Sequence, residues 1–292
     1  MNKYIINFVA LFSLISSNAL AESNNNITID KEKLDIPDWA KRVEIELDLS
    51  STGKPEYSLL SIQPIYQSPD KTHTFFNQSR AAYGNNGRTT GNIGFGYRTL
   101  ALDKKLLLGI NSFYDYEFPY DHQRASLGLE ARSYAFELNG NIYEGLTDWK
   151  DGENGSSEKA ADGHDVEVGM QLPYLPWTKI YAKSSRWNME SSGAKDIRSK
   201  TYSIQLTPLP YVEISAGHNR ENGGSISNFV ETRLSFMFGQ KYNAMSSLID
   251  SQMFRFDETM EDYTLHKVRR QNTIRVEQVN GVSASVSIGR GN

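Results

Sequence analysis

Short segments in which apolar and polar residues strictly alternate follow one another from about Arg42 to Gly239. In one of these segments the apolar face comprises Val166, Val168, Met170 and Leu172. Its other face carries Glu167 and Gln171, and the stretch 229–238 repeats the arrangement with Glu231 and Arg233 on the polar side. Soluble sandwiches also alternate, so one or two such segments decide little. A long series of them is typical of a closed barrel with lipid outside and water inside.

The alternation predicts twelve strands, an even number, as single-chain bacterial barrels have. They are Arg42–Leu49, Glu56–Tyr66, Thr72–Ala82, Asn92–Leu100, Lys105–Tyr116, His122–Arg132, Tyr134–Glu144, His164–Leu172, Thr178–Trp187, Arg198–Thr207, Val212–His218 and Asn228–Phe238. The predicted fold class is therefore all-β, a closed antiparallel transmembrane β-barrel of about twelve strands.

The connections between these strands differ in length on the two sides of the barrel. With the amino terminus in the periplasm, the odd-numbered connections face outward, and they include the longest one, Gly145–Gly163. The even-numbered connections are tight, for example Ala101–Lys104 and Pro208–Tyr211. Long loops outside and short turns inside are the usual asymmetry of outer-membrane barrels. The connections therefore support the same fold independently of the strands.

The amino terminus has the three parts of a secretory signal peptide. Lys3 supplies the charged start, Tyr4–Ile15 is apolar, and Ala19-Leu20-Ala21 is a small-residue cleavage site. We therefore assign residues 1–21 to a signal peptide. The apolar stretch is too short for a transmembrane helix, which needs about 20 apolar residues. The mean hydropathy of the chain is -0.53, as expected where strands average apolar with polar positions.

The composition limits the classes of partner and the chemistry that we expect for this protein. The net charge of -4 argues against nucleic acid. The chain has no cysteine, so neither disulfides nor thiolate chemistry contribute. Its 16 Tyr, 13 Phe and 4 Trp suit aromatic girdles at the two membrane interfaces, with outer-membrane lipid around the barrel.

The most distinctive block of the sequence runs from Gly109 to Tyr143. It contains Gly109–Tyr116, His122–Glu130 and Leu138–Tyr143, and it is accompanied by Trp149, Leu206–Pro210 and Leu234–Gly239. These stretches resemble the membrane domain of the intimin/invasin family, the inverse autotransporters. The resemblance covers about Trp39 to Gly239. It implies an outer-membrane barrel that relies on periplasmic chaperones and the barrel-assembly machinery.

After the barrel, Asp262–Ile274 resembles the linker of that family, which threads the pore outward and leads to an adhesin of immunoglobulin-like modules. The resemblance divides the chain into a short periplasmic segment 22–41, the barrel 42–239, a pore-threading linker 240–274 and a short emerged tail 275–292. We expect neither such modules nor a peptidoglycan-binding module in segments this short. Strand-like residues in the tail predict a hairpin around Asn280-Gly281, with a disordered tail as the alternative.

Strand alternation also assigns polar residues to the lumen. The residues that we predict to line it and to brace the linker are Asn111, Asp115, Arg124, Glu130, Arg132, Glu137, Asn139, Glu167, Glu231 and Arg233. Mixed charges in a narrow pore can pair across strands, bind the linker and hold the cross-section open. Gly109 and Gly128 fall on the same face and would leave room for a traversing backbone. The alternative is that these residues fill the lumen without a specific partner.

The sequence gives little support for catalysis. His122 lies beside Asp121, and His164 lies beside Asp165, near predicted outer strand ends. Neither Gly-x-Ser-x-Gly nor His-Glu-x-x-His occurs. The stretch Asp162–Asp165 is more typical of a loop returning to a strand than of a metal site. We therefore predict no enzyme activity and no catalytic, cofactor-binding or metal-binding residues.

The function favoured by these observations is the export and display of the chain's own short C-terminal tail at the cell surface, with a role in adhesion and virulence. The barrel would lie in the bacterial outer membrane, with its loops and its carboxyl terminus outside. One alternative is a translocator for a separately encoded secreted protein. Another is a plugged pore or an adhesin that binds a host surface through its loops. An occupied lumen is expected to conduct few ions.

Overall fold

The computed structural model describes residues 36–84, 87–191, 193–222, 224, 226–238, 248–280 and 283–287. The predicted signal peptide and most of the predicted periplasmic segment lie outside the described residues. The described chain begins just before a 3₁₀ turn at Ala40–Arg42, which leads into the first strand. Within these ranges no helix is long and apolar enough to cross a membrane.

Twelve strands form the barrel. The first seven are β1 (Val43–Ser50), β2 (Glu56–Gln67), β3 (His73–Gly84), β4 (Arg88–Ala101), β5 (Leu106–Phe118), β6 (His122–Arg132) and β7 (Phe136–Gly145). Two short strands, β8 (Lys150–Asp151) and β9 (Ser157–Ala160), interrupt the series. The barrel continues with β10 (Gly163–Leu172), β11 (Leu175–Trp187), β12 (Ile197–Leu209), β13 (Val212–Glu221) and β14 (Ile226–Met237). All twelve predicted strands are confirmed, and their ends differ from the prediction by about four residues or fewer.

The strands close into a ring. Going round the wall, the order is β1-β14-β13-β12-β11-β10-β7-β6-β5-β4-β3-β2, with β1 paired to β2 and thus completing the circle. At the seam between the first and last strands, Glu46 lies opposite Ser235 in an antiparallel register. A closed sheet satisfies its backbone groups internally, which is the condition for a β-sheet to be surrounded by lipid.

The alternation along each strand separates an apolar outer face from a polar lumen. On β6, Leu127 and Leu129 are 44% and 62% exposed at the outer face, whereas Arg124 and Glu130 are buried inside. A soluble protein would bury such leucines, because water contact with apolar surface is unfavourable. The arrangement fits a barrel whose outer face meets hydrocarbon chains.

The two ends of the barrel differ. At one end, which we call the turn end, the connections are 68–72, 102–105, 133–135, 173–174 and 210–211. The other end, which we call the loop end, carries the two longest connections, 146–162 and 188–196. The predicted gap between the strands Thr72–Ala82 and Asn92–Leu100 is too long, since β3 and β4 stay paired as far as Gly84 and Arg88.

A second sheet lies at the loop end. Its strand order is β16-β15-β9-β8, where β15 is Val276–Asn280 and β16 is Ser283–Ser287. We call it the loop-end sheet. The predicted tail hairpin is present in β15 and β16, which are antiparallel with Asn280 opposite Ser283; residues 281 and 282 lie outside the described part of the chain. The partner of this hairpin, β9, belongs to the connection that was predicted to be a plain loop.

Candidate functional site

Residues 248–263, which we call the base segment, run across the turn end of the barrel. The backbone N–H of Tyr174 donates to the Met253 carbonyl (2.9 Å), and that of Met260 donates to the Lys104 carbonyl (2.8 Å). The side chain of Met260 is buried against Leu107. Hydrogen bonds and apolar burial together fix this segment against the turns. The chain that follows this segment therefore begins at the turn end of the lumen.

Residues 264–275, which we call the lumen segment, cross the interior from one end to the other. At the turn end, Gln67 donates to the Thr264 hydroxyl (3.1 Å). At the loop end, the N–H of Ala161 donates to the Arg275 carbonyl (2.8 Å). The segment enters and leaves at opposite ends of the barrel, so it threads the lumen.

The backbone of the lumen segment is held by side chains of the wall. The described residues include no strand that pairs with it, so its N–H and C=O groups need other partners. Two arginines bind two carbonyls each at 2.7–3.0 Å: Arg98 binds those of Thr264 and His266, and Arg124 binds those of Gln271 and Thr273. Further bonds to its backbone come from Gln78, Asn92, Asn141 and Tyr143. Recognition of this kind is largely independent of the side chains of the threaded segment.

Four basic side chains of the lumen segment pair with carboxylates on four different strands. The pairs are Lys267 with Glu46 on β1 (2.8 Å), Arg269 with Glu167 on β10 (2.6 Å), Arg270 with Asp115 on β5 (2.6 Å) and Arg275 with Glu221 on β13 (4.0 Å). Going round the ring, each of these four strands is two to four places from the next one. The segment is therefore tied to the wall in several directions, which restricts movement sideways as well as along the axis.

The most deeply buried of these contacts centres on Asp115. Its carboxylate meets both Arg124 (2.8 Å) and Arg270 (2.6 Å), and all three side chains are 0% exposed. The Arg270 guanidinium also stacks on the Phe113 ring, 4.3 Å from its centroid. Two guanidiniums share one carboxylate, so the pairing of Asp115 is complete only when the lumen segment is in place. Buried charges of this kind are tolerated because each is hydrogen-bonded.

The ten residues predicted to line the lumen fall into a buried group and a group beside the open part of the lumen. The buried ones are Asn111, Asp115, Arg124, Glu130, Arg132 and Asn139. Those that line the remaining open part of the lumen include Glu137, Glu167, Glu231 and Arg233. Asp115, Arg124, Arg132 and Glu167 contact the lumen segment.

Several of the other predicted residues pair within the wall. Glu130 bonds to Arg98 (2.7 Å), and Glu137 bonds to Lys179. Across the seam, Arg233 bonds to Asp48 (2.7 Å). These contacts orient the arginines and link neighbouring strands, so they support the lumen segment indirectly.

Of the residues that bind the backbone of the lumen segment, sequence analysis predicted Arg124 and Arg132 but missed the others. One of those missed, Arg98, is 1% exposed and lies on the lumen row of β4 together with Asn92. The signal was present, because strand alternation puts the two on one face. Between them, positions 94 and 96 of the same row are glycines, so this face has no side chains at its centre to indicate a contact surface.

The glycines of the wall make room for side chains rather than for the lumen segment. A Cβ at Gly109 would lie 2.5 Å from the Glu130 carboxylate, and one at Gly128 would lie 2.5 Å from the Asn111 amide. The expectation that these glycines leave space for a traversing backbone is therefore wrong. Gly94 likewise makes room for the ring of Phe113, from which a Cβ at position 94 would lie 2.3 Å. Side chains lie flat over these glycines and keep the lumen open.

At the loop end, the emerging strand β15 is anchored through Glu277. Its carboxylate, 2% exposed, accepts hydrogen bonds from the N–H of Glu190 (2.8 Å), the N–H of Ser191 (3.0 Å) and the Ser191 hydroxyl. Beside it, β15 pairs with β9 in a register that sets Val279 opposite Ser157. The connection 188–196 thus holds one side of the strand, and β9 holds its edge.

A buried ion cluster fixes β9 to the rim of the barrel. The Glu158 carboxylate accepts two bonds from Arg88 (2.9 Å each), one from the His122 Nε2 (3.1 Å) and one from the N–H of Glu153 (3.0 Å). Arg88 also bonds to Glu117 on β5 (2.7 Å). Burial raises the pKa of Glu158, but the bonds from His122, Glu153 and Arg88 outweigh it and lower the pKa to about 2. Glu158 is therefore charged at any physiological pH.

The His122 ring bonds to Glu158, and His164 is exposed while Asp165 faces the lumen. Within the described ranges, no group of three or more His, Cys, Asp or Glu side chains is arranged to hold a metal ion.

Comparison with known proteins gives consistent matches. A family model described as inverse autotransporter, beta-domain, matches residues 11–272. The chain is 25% identical over 295 residues to invasin of Yersinia enterocolitica, an alignment that covers 92% of this chain and 34% of that protein. It is 25% identical over 227 residues to the inverse autotransporter adhesin YeeJ of Escherichia coli strain K12, covering 74% of this chain and 9% of that protein. The chain thus spans about a third of the length of the first of these relatives.

A solved structure used to study the in-meso crystallization of membrane proteins has the same fold. It superposes with a TM-score of 0.67 at 23% identity and covers 81% of this chain and 99% of that one. At this identity the likeness establishes the barrel fold alone.

Proposed function

The chain belongs to the inverse autotransporter β-domain family, and from that premise we propose that its barrel leads its own C-terminal segment through the lumen to the cell surface. The protein is an outer-membrane barrel of the translocator type, in contact with membrane lipid. One observation supports export through the lumen: residues 264–275 enter at the turn end and leave at the loop end. About 12 extended residues reach about 40 Å, which exceeds the ~30 Å hydrocarbon core.

The direction of export follows from the two ends. Outer-membrane barrels place short turns in the periplasm and long loops outside. The turn end with the base segment would then be periplasmic, and the loop-end sheet would be outside. On this orientation β15 and β16 are the first exported strands, and residues 264–275 are held in the lumen as a resting linker.

The wall contacts suit this role, because many of the hydrogen bonds to the threaded segment go to its backbone carbonyls. Carbonyl groups are the same in every sequence, so Arg98 and Arg124 could guide many different segments past the same points. The four basic side chains would then define where export stops. Their ion pairs form together only when residues 267–275 reach their present positions.

We infer adhesion as the use of the exposed end. The relatives include an invasin and an adhesin, and the loop-end sheet would display its outer strands beside the loops. The partner would be a protein on a host surface, and insertion of the barrel would depend on the barrel-assembly machinery. The alternative is that the barrel exports a separately encoded secreted protein. Co-purification of such a protein with the barrel from the outer membrane tests this alternative.

Labelling of intact cells tests the proposal. An epitope is added after Asn292, and the same epitope is inserted in the turn 102–105 and in the loop 152–155 as matched controls. We expect the C-terminal and loop epitopes to bind antibody on intact cells and the turn epitope to bind only after permeabilisation. If the C-terminal epitope behaves like the turn epitope, the segment does not reach the surface and the proposal is wrong.

A further inference from the structure

The lumen segment does not fill the barrel. A cavity of about 770 Å³ remains beside it, bounded mainly by β10–β14, β1 and the lumen segment itself, with a few residues of β2, β3, β6 and β7. It is long, since the lumen-facing residues of β12 all line it: Ser199, Thr201, Ser203, Gln205 and Thr207. At about 3.3 Å per residue these positions cover about 26 Å along the strand, which corresponds to about 20 Å along the barrel axis at the usual strand tilt of about 40°.

The cavity reaches towards both ends of the barrel. Trp177 and Tyr211 line it at the turn end, and Trp187 and Asn219 line it at the loop end. Its volume spread over about 20 Å corresponds to a mean cross-section of about 40 Å², far more than a single file of water molecules requires. Charged and polar side chains occur along the whole length of the lining, from Lys179 to Ser199, so water has hydrogen-bond partners throughout this space.

The charges around the cavity are unequal. Eleven Lys and Arg side chains line it, against seven Asp and Glu side chains. Four of the eleven come from the lumen segment, namely Lys267, Arg269, Arg270 and Arg275. Some of their acidic partners, such as Asp115 behind Arg270, do not line the cavity. The side that faces the water is therefore basic.

We propose that an aqueous passage stays open beside the lumen segment and conducts small ions with a preference for anions. The basic side chains of the lumen segment contribute the excess of positive charge that sets this preference. A charged wall raises the local concentration of ions of opposite sign. The threaded segment is thus the selectivity element of a passage rather than a complete plug, in contrast to the expectation that an occupied lumen conducts few ions. This inference rests on the cavity and its charges and does not require that the tail be exported.

The decisive measurement keeps the lumen segment in place. The chain has no cysteine, so Ser157→Cys with Val279→Cys creates the only two thiols. The two positions face each other on β9 and β15, at a separation of antiparallel neighbours that a disulfide can bridge. Oxidation locks β15 at the loop end and so keeps residues 264–275 in the lumen.

The locked full-length chain is recorded in planar bilayers under a gradient of potassium chloride, and flotation with lipid vesicles verifies insertion. We expect discrete current steps that survive oxidation, with a chloride-to-potassium permeability ratio above 1. The proposal is overturned if the inserted, locked protein carries no current, or if the ratio lies below 1.

Substitutions at Ser203 test whether ions pass through this cavity. Ser203 lies on β12 and faces the cavity. Ser203→Glu, Ser203→Lys and Ser203→Gln add a negative, a positive and no charge at the same place. A unit charge about 7 Å from the ion path changes the local ion concentration about 3-fold in water.

We expect the permeability ratio to fall in Ser203→Glu and to rise in Ser203→Lys, with Ser203→Gln close to the unsubstituted protein. Neutralising the lumen segment by Lys267→Gln should also lower the ratio. Equal ratios in all four substituted proteins would show that current flows elsewhere, and the assignment of the passage to this cavity would fail.

Discussion

Replacing Asp115 by asparagine should loosen the lumen segment more than replacing its partner Arg270 by methionine. The docked state of Asp115→Asn keeps Arg124 and Arg270 together in a fully buried site without their shared carboxylate. Arg270→Met loses the same attraction, but Asp115 and Arg124 remain a neutral pair. The difference between the two variants is therefore the repulsion between two guanidiniums.

The magnitudes follow from the burial. Leaving a buried charge without its partner costs about 3–5 kcal/mol. Losing charge-assisted hydrogen bonds while the remaining pair stays neutral costs about 2 kcal/mol. At about 1.4 kcal/mol for each factor of ten, undocking should become about 1000-fold more frequent in Asp115→Asn and about 30-fold more frequent in Arg270→Met.

A single cysteine measures undocking directly. Thr273 is buried, so Thr273→Cys in the otherwise cysteine-free chain gives a thiol that a maleimide reaches only when the segment leaves its site. The labelling rate tracks the undocked population when re-docking is faster than labelling. The double variant should label at a rate between the two single ones, because it removes one of the two repelling cations. Labelling of Asp115→Asn no faster than Arg270→Met, or an additive double variant, would refute the shared-carboxylate argument.

Three further predictions concern the loop end and the wall. Glu277→Gln weakens three bonds from residues 190 and 191, so the cysteine pair across β9 and β15 should oxidise several-fold more slowly, with unchanged barrel content in the membrane as the control. The pKa of Glu158 is about 2 in the folded protein, so its carboxylate stabilises the fold above its ordinary pKa near 4.5, and this stabilisation is lost as the pH falls towards 2. Pepsin should therefore cut the 146–162 loop faster as the pH falls from 4.5 to 2. Glu158→Gln should remove this dependence of the cutting rate on pH. Gly94→Ala forces a methyl group into the Phe113 ring and should lower the stability of the barrel by about 1–3 kcal/mol. Heating before gel electrophoresis should therefore convert the compact barrel to the unfolded form at a lower temperature. Gly91→Ala should have little effect.

The fold could be predicted because its main determinant is local. Side chains alternate with a period of two along every strand, so the lumen row of β6 and the strand itself are both visible in residues 122–132. The same periodicity assigned Asp115 and Glu167 to the lumen. Periodicity reports the face of a residue but not its position around the ring, so it could not show that these two carboxylates hold different cations of one threaded segment.

The loop-end sheet was missed for a different physical reason. Residues 157–160 are few and mostly polar, and their strand conformation depends on pairing with β15 more than a hundred positions later. The contribution of Arg98 was hidden in the same way, because its carbonyl partners belong to a distant part of the chain. Non-local partners of this kind become visible only when the path of the chain through the barrel is known.

The ion pair between Lys267 and Glu46 has a consequence for biogenesis. Glu46 lies on the strand that closes the ring, and its carboxylate also faces Arg80 (3.7 Å) and Arg233 of the last strand (3.6 Å). Ring closure supplies Arg233, whereas threading supplies Lys267. We therefore expect a ring that closes around the segment to have one more ion pair at its seam than a ring that closes empty, which would favour assembly intermediates that already hold the segment.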